Sequence, residues 1–128
     1  MSECRLCPRQ CGAARAVGAG VCHMGSEMRI ARAAPHYGEE PCLSGRVGET
    51  VSVERLAAIF SELEAKGVHN LNLVTGTQFA PEILEALGIA APKIPVVWNT
   101  SGYETVGTVD VLSERVSVFL PDFKYAEA

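Results

Sequence analysis

No run of apolar residues in this chain approaches the roughly 20 needed to cross a bilayer. The longest, such as IPVVW at 94–98, stop far short of it, so no membrane role is expected. The opening MSECRLCPRQC lacks the hydrophobic core of a secretion signal. Positive charge is also scarce. Eleven Lys and Arg stand against 15 Asp and Glu, for a net charge of −4 and a pI near 5.3. That balance argues against nucleic acid as the main partner. Marks of disorder are missing as well: 48% of residues are apolar and 20% charged, the proportions of a globular chain. Its 128 residues suffice for one modest core and not for two ordinary ones.

Cysteine is what the chain does have. Four of its five cysteines, Cys4, Cys7, Cys11 and Cys22, crowd into CRLCPRQCGAARAVGAGVC at the N-terminus. An odd total, this clustering and no export signal together predict reduced thiols and a cytoplasmic protein. Cys4-x2-Cys7 offers two thiolates on one tight turn, the bite of a tetrahedral site, and Cys11 and Cys22 complete a set of four. Zinc and an iron–sulfur cluster accept such a set equally well. Pro8 stiffens the turn, and Gly12, Gly18 and Gly20 let the backbone fold back around an ion. Residues 1–25 show no helix or strand period, so a metal would supply the cross-link they need. Free thiols, or a dithiol redox pair at Cys4 and Cys7, are the competing readings. Cys42 stands alone and reads as an ordinary loop or buried thiol.

Beyond residue 50 the pattern becomes regular. Ser52 is placed to cap a helix whose Leu56, Ile59, Phe60 and Leu63 share one face, with Glu62 and Lys66 as an i,i+4 pair and Gly67 as the stop. HNLNLVT (69–75) reads as a strand. Pro81 opens a second helix that Gly88 is predicted to end. IPVVWN (94–99) reads as a strand covered on both faces. A third helix over about 103–113 and the strand VSVFL (116–120) follow, and MRIARAA (28–34) is a weak strand candidate. The order α-β-α-β-α-β, with strands some 24 residues apart, predicts parallel strands joined by helical crossovers. Three such strands cannot close a barrel. Spacing of this kind suits a doubly wound sheet or a piece of a (βα) barrel. The fold class expected is α/β: a partial (βα) barrel-like parallel sheet (51–128) preceded by a cysteine-rich metal-binding segment and loop (1–50). Open apolar strand edges make self-association an expected hazard.

The blocks CRLCPRQCG…GVCHMG, EEPCLSG, VSVERLAAIF, HNLNLVT, IPVVWNTSGYE and FLPDFKY, in this order, resemble the radical S-adenosylmethionine proteins similar to pyruvate formate-lyase activating enzyme. The resemblance covers nearly the whole chain. It implies a cytoplasmic iron–sulfur protein whose partner is a protein substrate, such as a glycyl-radical enzyme, with S-adenosylmethionine as cofactor. The family's chemistry rests on a Cys-x3-Cys-x2-Cys loop, whose three thiolates leave one iron open for the cofactor. This sequence has no such loop. Its N-terminal Cys-x2-Cys-x3-Cys runs in the reverse order and matches the family's separate cysteine region, and only RVGET separates EEPCLSG from VSVERL. The expectation is a truncated or deletion form without full activity. Its alternative is a non-catalytic Cys4 zinc or iron–sulfur module acting through a protein partner. By resemblance, PDFKY assigns Asp122 and Lys124 to the cofactor, and NTSGY offers Asn99 and Ser101, just past a strand where parallel α/β folds place ligands. Local turn chemistry is the competing reading for all four.

Overall fold

The computed structural model describes residues 3–18, 20–35 and 48–122. A short antiparallel pair, β1 (Arg29–Ile30) and β2 (Glu49–Thr50), precedes helix α1 (Val53–Ala65). Strand β3 (Leu71–Val74) leads through a 3-10 turn (Thr77–Phe79) into α2 (Ala80–Ala90). Strand β4 (Val96–Thr100), α3 (Val106–Leu112) and β5 (Val118–Pro121) complete the order. The three longer strands form one parallel sheet with β4 in the middle, Leu73 beside Trp98 and Trp98 beside Phe119. The chain is thus a mixed α/β fold whose described residues form no closed barrel. Among them no helix is long and apolar enough to cross a membrane.

Local chemistry sets most element boundaries. Ser52 Oγ accepts the Arg55 amide at 3.1 Å, an N-cap worth about 1 kcal/mol. Gly67 closes α1 with φ +79°, a conformation only glycine adopts without strain. Thr105 caps α3 by accepting the Thr108 amide at 3.2 Å. Two expectations need correction. Gly88 does not end α2: the helix runs on to Ala90, which packs against the core, and stops at a left-handed Ala91 (φ +43°) just before Pro92. Proline cannot continue the hydrogen-bond ladder and disfavours the α region for the residue before it, so the stop lies there. Nor is Lys66 the ion-pair partner of Glu62; Arg55, two turns earlier, reaches that carboxylate at 2.5 Å. Of MRIARAA only Arg29–Ile30 is strand, although Met28 beside it is buried in the core.

Every helix packs on the same side of the sheet. The core joins Leu56, Ala57 and Phe60 of α1 to Ile83, Ala86 and Leu87 of α2, Leu112 of α3, and Leu71, Val96 and Trp98 of the sheet. Trp98 is wholly buried. The register puts Asn72, Val74, Val97, Asn99, Val118 and Leu120 on the other face. There Val74, Val118 and Leu120 are exposed, and Val97, though shielded by its neighbours, lies outside the core cluster. So β4 is central but not covered on both faces as its apolar run predicts. One face is bare among the described residues.

Candidate functional site

The cysteine segment is ordered by its own backbone. Cys4 pairs with the far side of the loop, its amide donating to Ala13 O and its carbonyl accepting from Gly12, each at 3.2 Å. Between them the Gln10 amide donates to Cys7 O at 2.9 Å, turning the chain over Pro8 and Arg9. Further on, His23 N donates to Gly20 O at 2.9 Å, and Gly20 N to Met24 O at 3.1 Å. The turn brings Cys22 back onto Gly20. A Cβ added at Gly20 would lie 3.5 Å from Cys11 Sγ and 3.5 Å from Cys22 Sγ. That spot is in ordinary van der Waals reach of both sulfurs and of Ala13 Cβ.

Backbone amides of Ala13, first, and Val21 hydrogen-bond to Cys11 and hold its thiol below the ordinary cysteine range, with a smaller contribution from the positive Arg15. N–H groups aimed at a sulfur stabilise its thiolate. Cys11 and Cys22 are exposed, Cys4 and Cys7 half-buried, and all four are free thiols. The structure therefore brings Cys11 and Cys22 together. Among the described residues it does not gather three or more His, Cys, Asp or Glu into a cluster that could hold a metal ion. Cys42 lies outside the described residues.

Two anchors fix this segment to the sheet. Leu6 O accepts from Thr108 Oγ1 at 2.8 Å and from the Thr105 amide at 3.3 Å. Arg15 donates to Gly25 O at 2.9 Å and to Gln78 O, with its guanidinium 5.0 Å from the Phe79 ring centre. Gln78 and Phe79 follow β3, and Thr105 follows β4. Both anchors thus lie at the carboxyl ends of parallel strands, the end where such sheets bind ligands. The cysteine segment, distant in sequence from the sheet, is held at the carboxyl ends of its strands.

The polar centre of that end is Glu104, which sequence reasoning passed over. Its Oε1 accepts from Thr77 Oγ1 and Thr100 Oγ1, each at 2.5 Å, and from Trp98 Nε1 at 3.1 Å. One carboxylate oxygen thereby ties the loop after β3 to the end of β4. Thr100 Oγ1 in turn accepts the Gly102 amide at 3.1 Å, shaping the turn at Ser101–Gly102. The signal was present in WNTSGYE. A buried indole needs an acceptor, and the only acidic residue in that block is Glu104.

The predicted cofactor residues fall elsewhere on the same end. Asn99 is half-buried on the bare face between Val74 and Leu120, and Ser101 is exposed just past β4. Asp122 follows β5, two positions on from Leu120, with its amide donating to Thr100 O at 2.8 Å. Lys124 lies outside the described residues. Asn99 and Asp122 thus belong to neighbouring strand ends, while Glu104 and its donors serve the covered side. A groove of about 380 Å³ lies at the opposite end of the sheet, lined by Leu87, Pro92, Ile94, Arg115 and Ser117, and takes in none of these residues.

The chain is similar to uncharacterized protein MJ0674 of Methanocaldococcus jannaschii, with 41% identity over 58 residues, 44% of this chain and 17% of that protein. It therefore spans about a sixth of that relative's length. No protein-family model matches the chain, and no solved structure matches it.

Proposed function

We propose that this chain is an iron–sulfur or zinc protein of the radical S-adenosylmethionine lineage, with Cys4, Cys7, Cys11 and Cys22 as its metal ligands. The observation that carries the reading is the meeting of two thiols at Gly20, with the Cys11 and Cys22 sulfurs each 3.5 Å from the place its Cβ would take. The donor type suits the group, since every candidate ligand is sulfur and amides stabilise one thiolate. Binding would have to draw Cys4 and Cys7 in to the pair at Gly20, because the described residues do not gather three ligands. The Cys4–Ala13 pairing carries Cys4 to the same loop. A bound cluster or zinc would add a further cross-link to this segment of turns or, in the case of a cluster, supply electron transfer.

The resemblance adds S-adenosylmethionine, with Asn99, Ser101, Asp122 and Lys124 as its contacts and a glycyl-radical enzyme or similar protein as substrate. The one-sided sheet supports that lineage, since helices on a single face suit a barrel segment better than a doubly wound sheet. Only Val51 and Ser52 stand between β2 and α1, which leaves no room there for a three-cysteine loop. Radical cleavage by this chain is accordingly not expected. The alternative, a non-catalytic Cys4 module acting through a protein partner, draws on the exposed Val74, Val118 and Leu120 of the bare face.

Purification without oxygen followed by iron, zinc and sulfide analysis tests the metal. About one equivalent of zinc, or iron with matching sulfide, lost together in Cys7→Ser and Cys22→Ser, is expected. Less than about a tenth of an equivalent of either metal would end the reading.

A further inference from the structure

We infer that Cys11 and Cys22 are a redox pair that closes to a disulfide when the metal is absent, so that oxidation and metal binding exclude each other. The second half rests on the four-thiolate reading above; the first half does not. The argument is geometric. A disulfide needs sulfurs that can approach to about 2.05 Å without moving the backbone far. Both sulfurs lie 3.5 Å from the position a Gly20 Cβ would take, where the next nearest neighbour is the small Ala13 Cβ at 3.8 Å. The Val21 amide, immediately before Cys22, hydrogen-bonds to the Cys11 thiol, which sets that sulfur beside the chain that carries Cys22.

Accessibility selects the same pair. Cys11 and Cys22 are exposed, so a small oxidant reaches them, whereas Cys4 and Cys7 are half-buried. Chain proximity favours other partners: Cys4 with Cys7, and Cys7 with Cys11, close shorter loops than the ten residues between Cys11 and Cys22. The folded structure therefore inverts the statistical preference of the unfolded chain.

The oxidant is a low-molecular-weight disulfide such as oxidised glutathione. One cysteine thiolate attacks it, forming a mixed disulfide and releasing one thiol. The second thiolate then displaces the other thiol and closes the protein bond. Two electrons pass to the oxidant, which leaves as two thiols, and the two cysteine protons end on them. Two of the four candidate ligands are then unable to bind a metal.

The chain suits a direct test. Arg5, Arg9, Arg15 and Arg29 place the four cysteines in separate tryptic peptides, 1–5, 6–9, 10–15 and 16–29. Metal-free full-length protein, reduced and then exposed to excess oxidised glutathione, is alkylated and digested without reductant. The expected product joins peptide 10–15 to peptide 16–29, with Cys4 and Cys7 alkylated. The same treatment in concentrated urea should scatter the pairing. Another dominant pair in folded protein, or no protein disulfide at all, overturns the inference. Cys22→Ser should abolish the linked product and leave Cys11 as a mixed disulfide. Zinc binding is measured separately on the reduced protein. If zinc binds, it should slow closure about tenfold or more; binding with unchanged closure refutes the exclusion. If zinc and iron both fail to bind, the metal reading falls, and the pairing result still stands or fails on the digest.

Discussion

Replacing Gly76 with alanine adds a single methyl group at the tightest point of the core. That Cβ would lie 2.8 Å from Trp98 Cη2, 3.3 Å from its Cζ3 and 2.8 Å from Ile83 Cδ1. The isoleucine methyl is the end of a flexible side chain and can rotate away. The indole cannot: it is rigid, wholly buried, and held at its Nε1 by Glu104. Gly76 has an ordinary φ of −89°, so the cost is steric and owes nothing to backbone strain. Overpacking of this kind costs about 1–3 kcal/mol, and the stiffer unfolded chain returns roughly 0.4–1, leaving a net loss of about 1–2 kcal/mol. With a urea m-value of about 1–3 kcal/mol/M, the midpoint falls by roughly 0.5–1 M. Trp98 is the single tryptophan, so its fluorescence reports the transition from inside the affected contact. Gly107→Ala is the matched control. It lies within α3, a Cβ there meets nothing within 4 Å, and alanine should stabilise by about 0.5–1 kcal/mol. Equal midpoints for the two variants, or a rise for Gly76→Ala, would refute the packing described around Trp98.

Glu104→Ala should cost about 2–4 kcal/mol in the same titration, because it orphans the buried Trp98 N–H along with two hydroxyls. Glu104→Gln keeps an acceptor oxygen and should cost less than half as much; equal losses would show that the hub is not what Glu104 provides. Arg15→Ala should raise amide hydrogen exchange across residues 3–25 while leaving β4 protected, since it removes the link to Gln78 and Phe79; unchanged exchange would mean that Leu6 alone anchors the segment. The Arg55 hydrogen bond, first, and its charge hold the Glu62 carboxyl below its usual range. A depressed folded pKa stabilises above the unfolded value of about 4.3 and fades as pH falls through the folded one. The gap between wild type and Arg55→Ala should therefore narrow below about pH 4; a gap constant with pH would contradict the pairing.

Periodicity and punctuation were enough to find α1, α2, β4 and the parallel order, because those signals act within a few residues. Ser52 and Gly67 settle backbone groups beside them, and Pro81 removes a first-turn amide that would have no partner, whatever the rest of the chain does. The same signals misplaced the end of α2, where a core contact at Ala90 and the proline after Ala91 outweighed Gly88. Glu62 went to Arg55 for a similar reason: which charge reaches a carboxylate depends on side-chain paths along the helix, not on spacing alone.

The thiol chemistry available, the alternation of helix and strand and the sign of the charge were legible from the residues alone, because each depends on residue type and near-neighbour spacing. Three matters were left to tertiary structure: which cysteines meet, which sheet face stays bare, and where the cysteine loop rests. Cys11 and Cys22 converge on Gly20 because the turn at 20–24 folds back. The loop rests at the carboxyl ends of β3 and β4 through Leu6 and Arg15, partners some 102 and 63 residues from Thr108 and Gln78. No local pattern encodes contacts at that separation; they exist only once the helices have stacked on one side of the sheet.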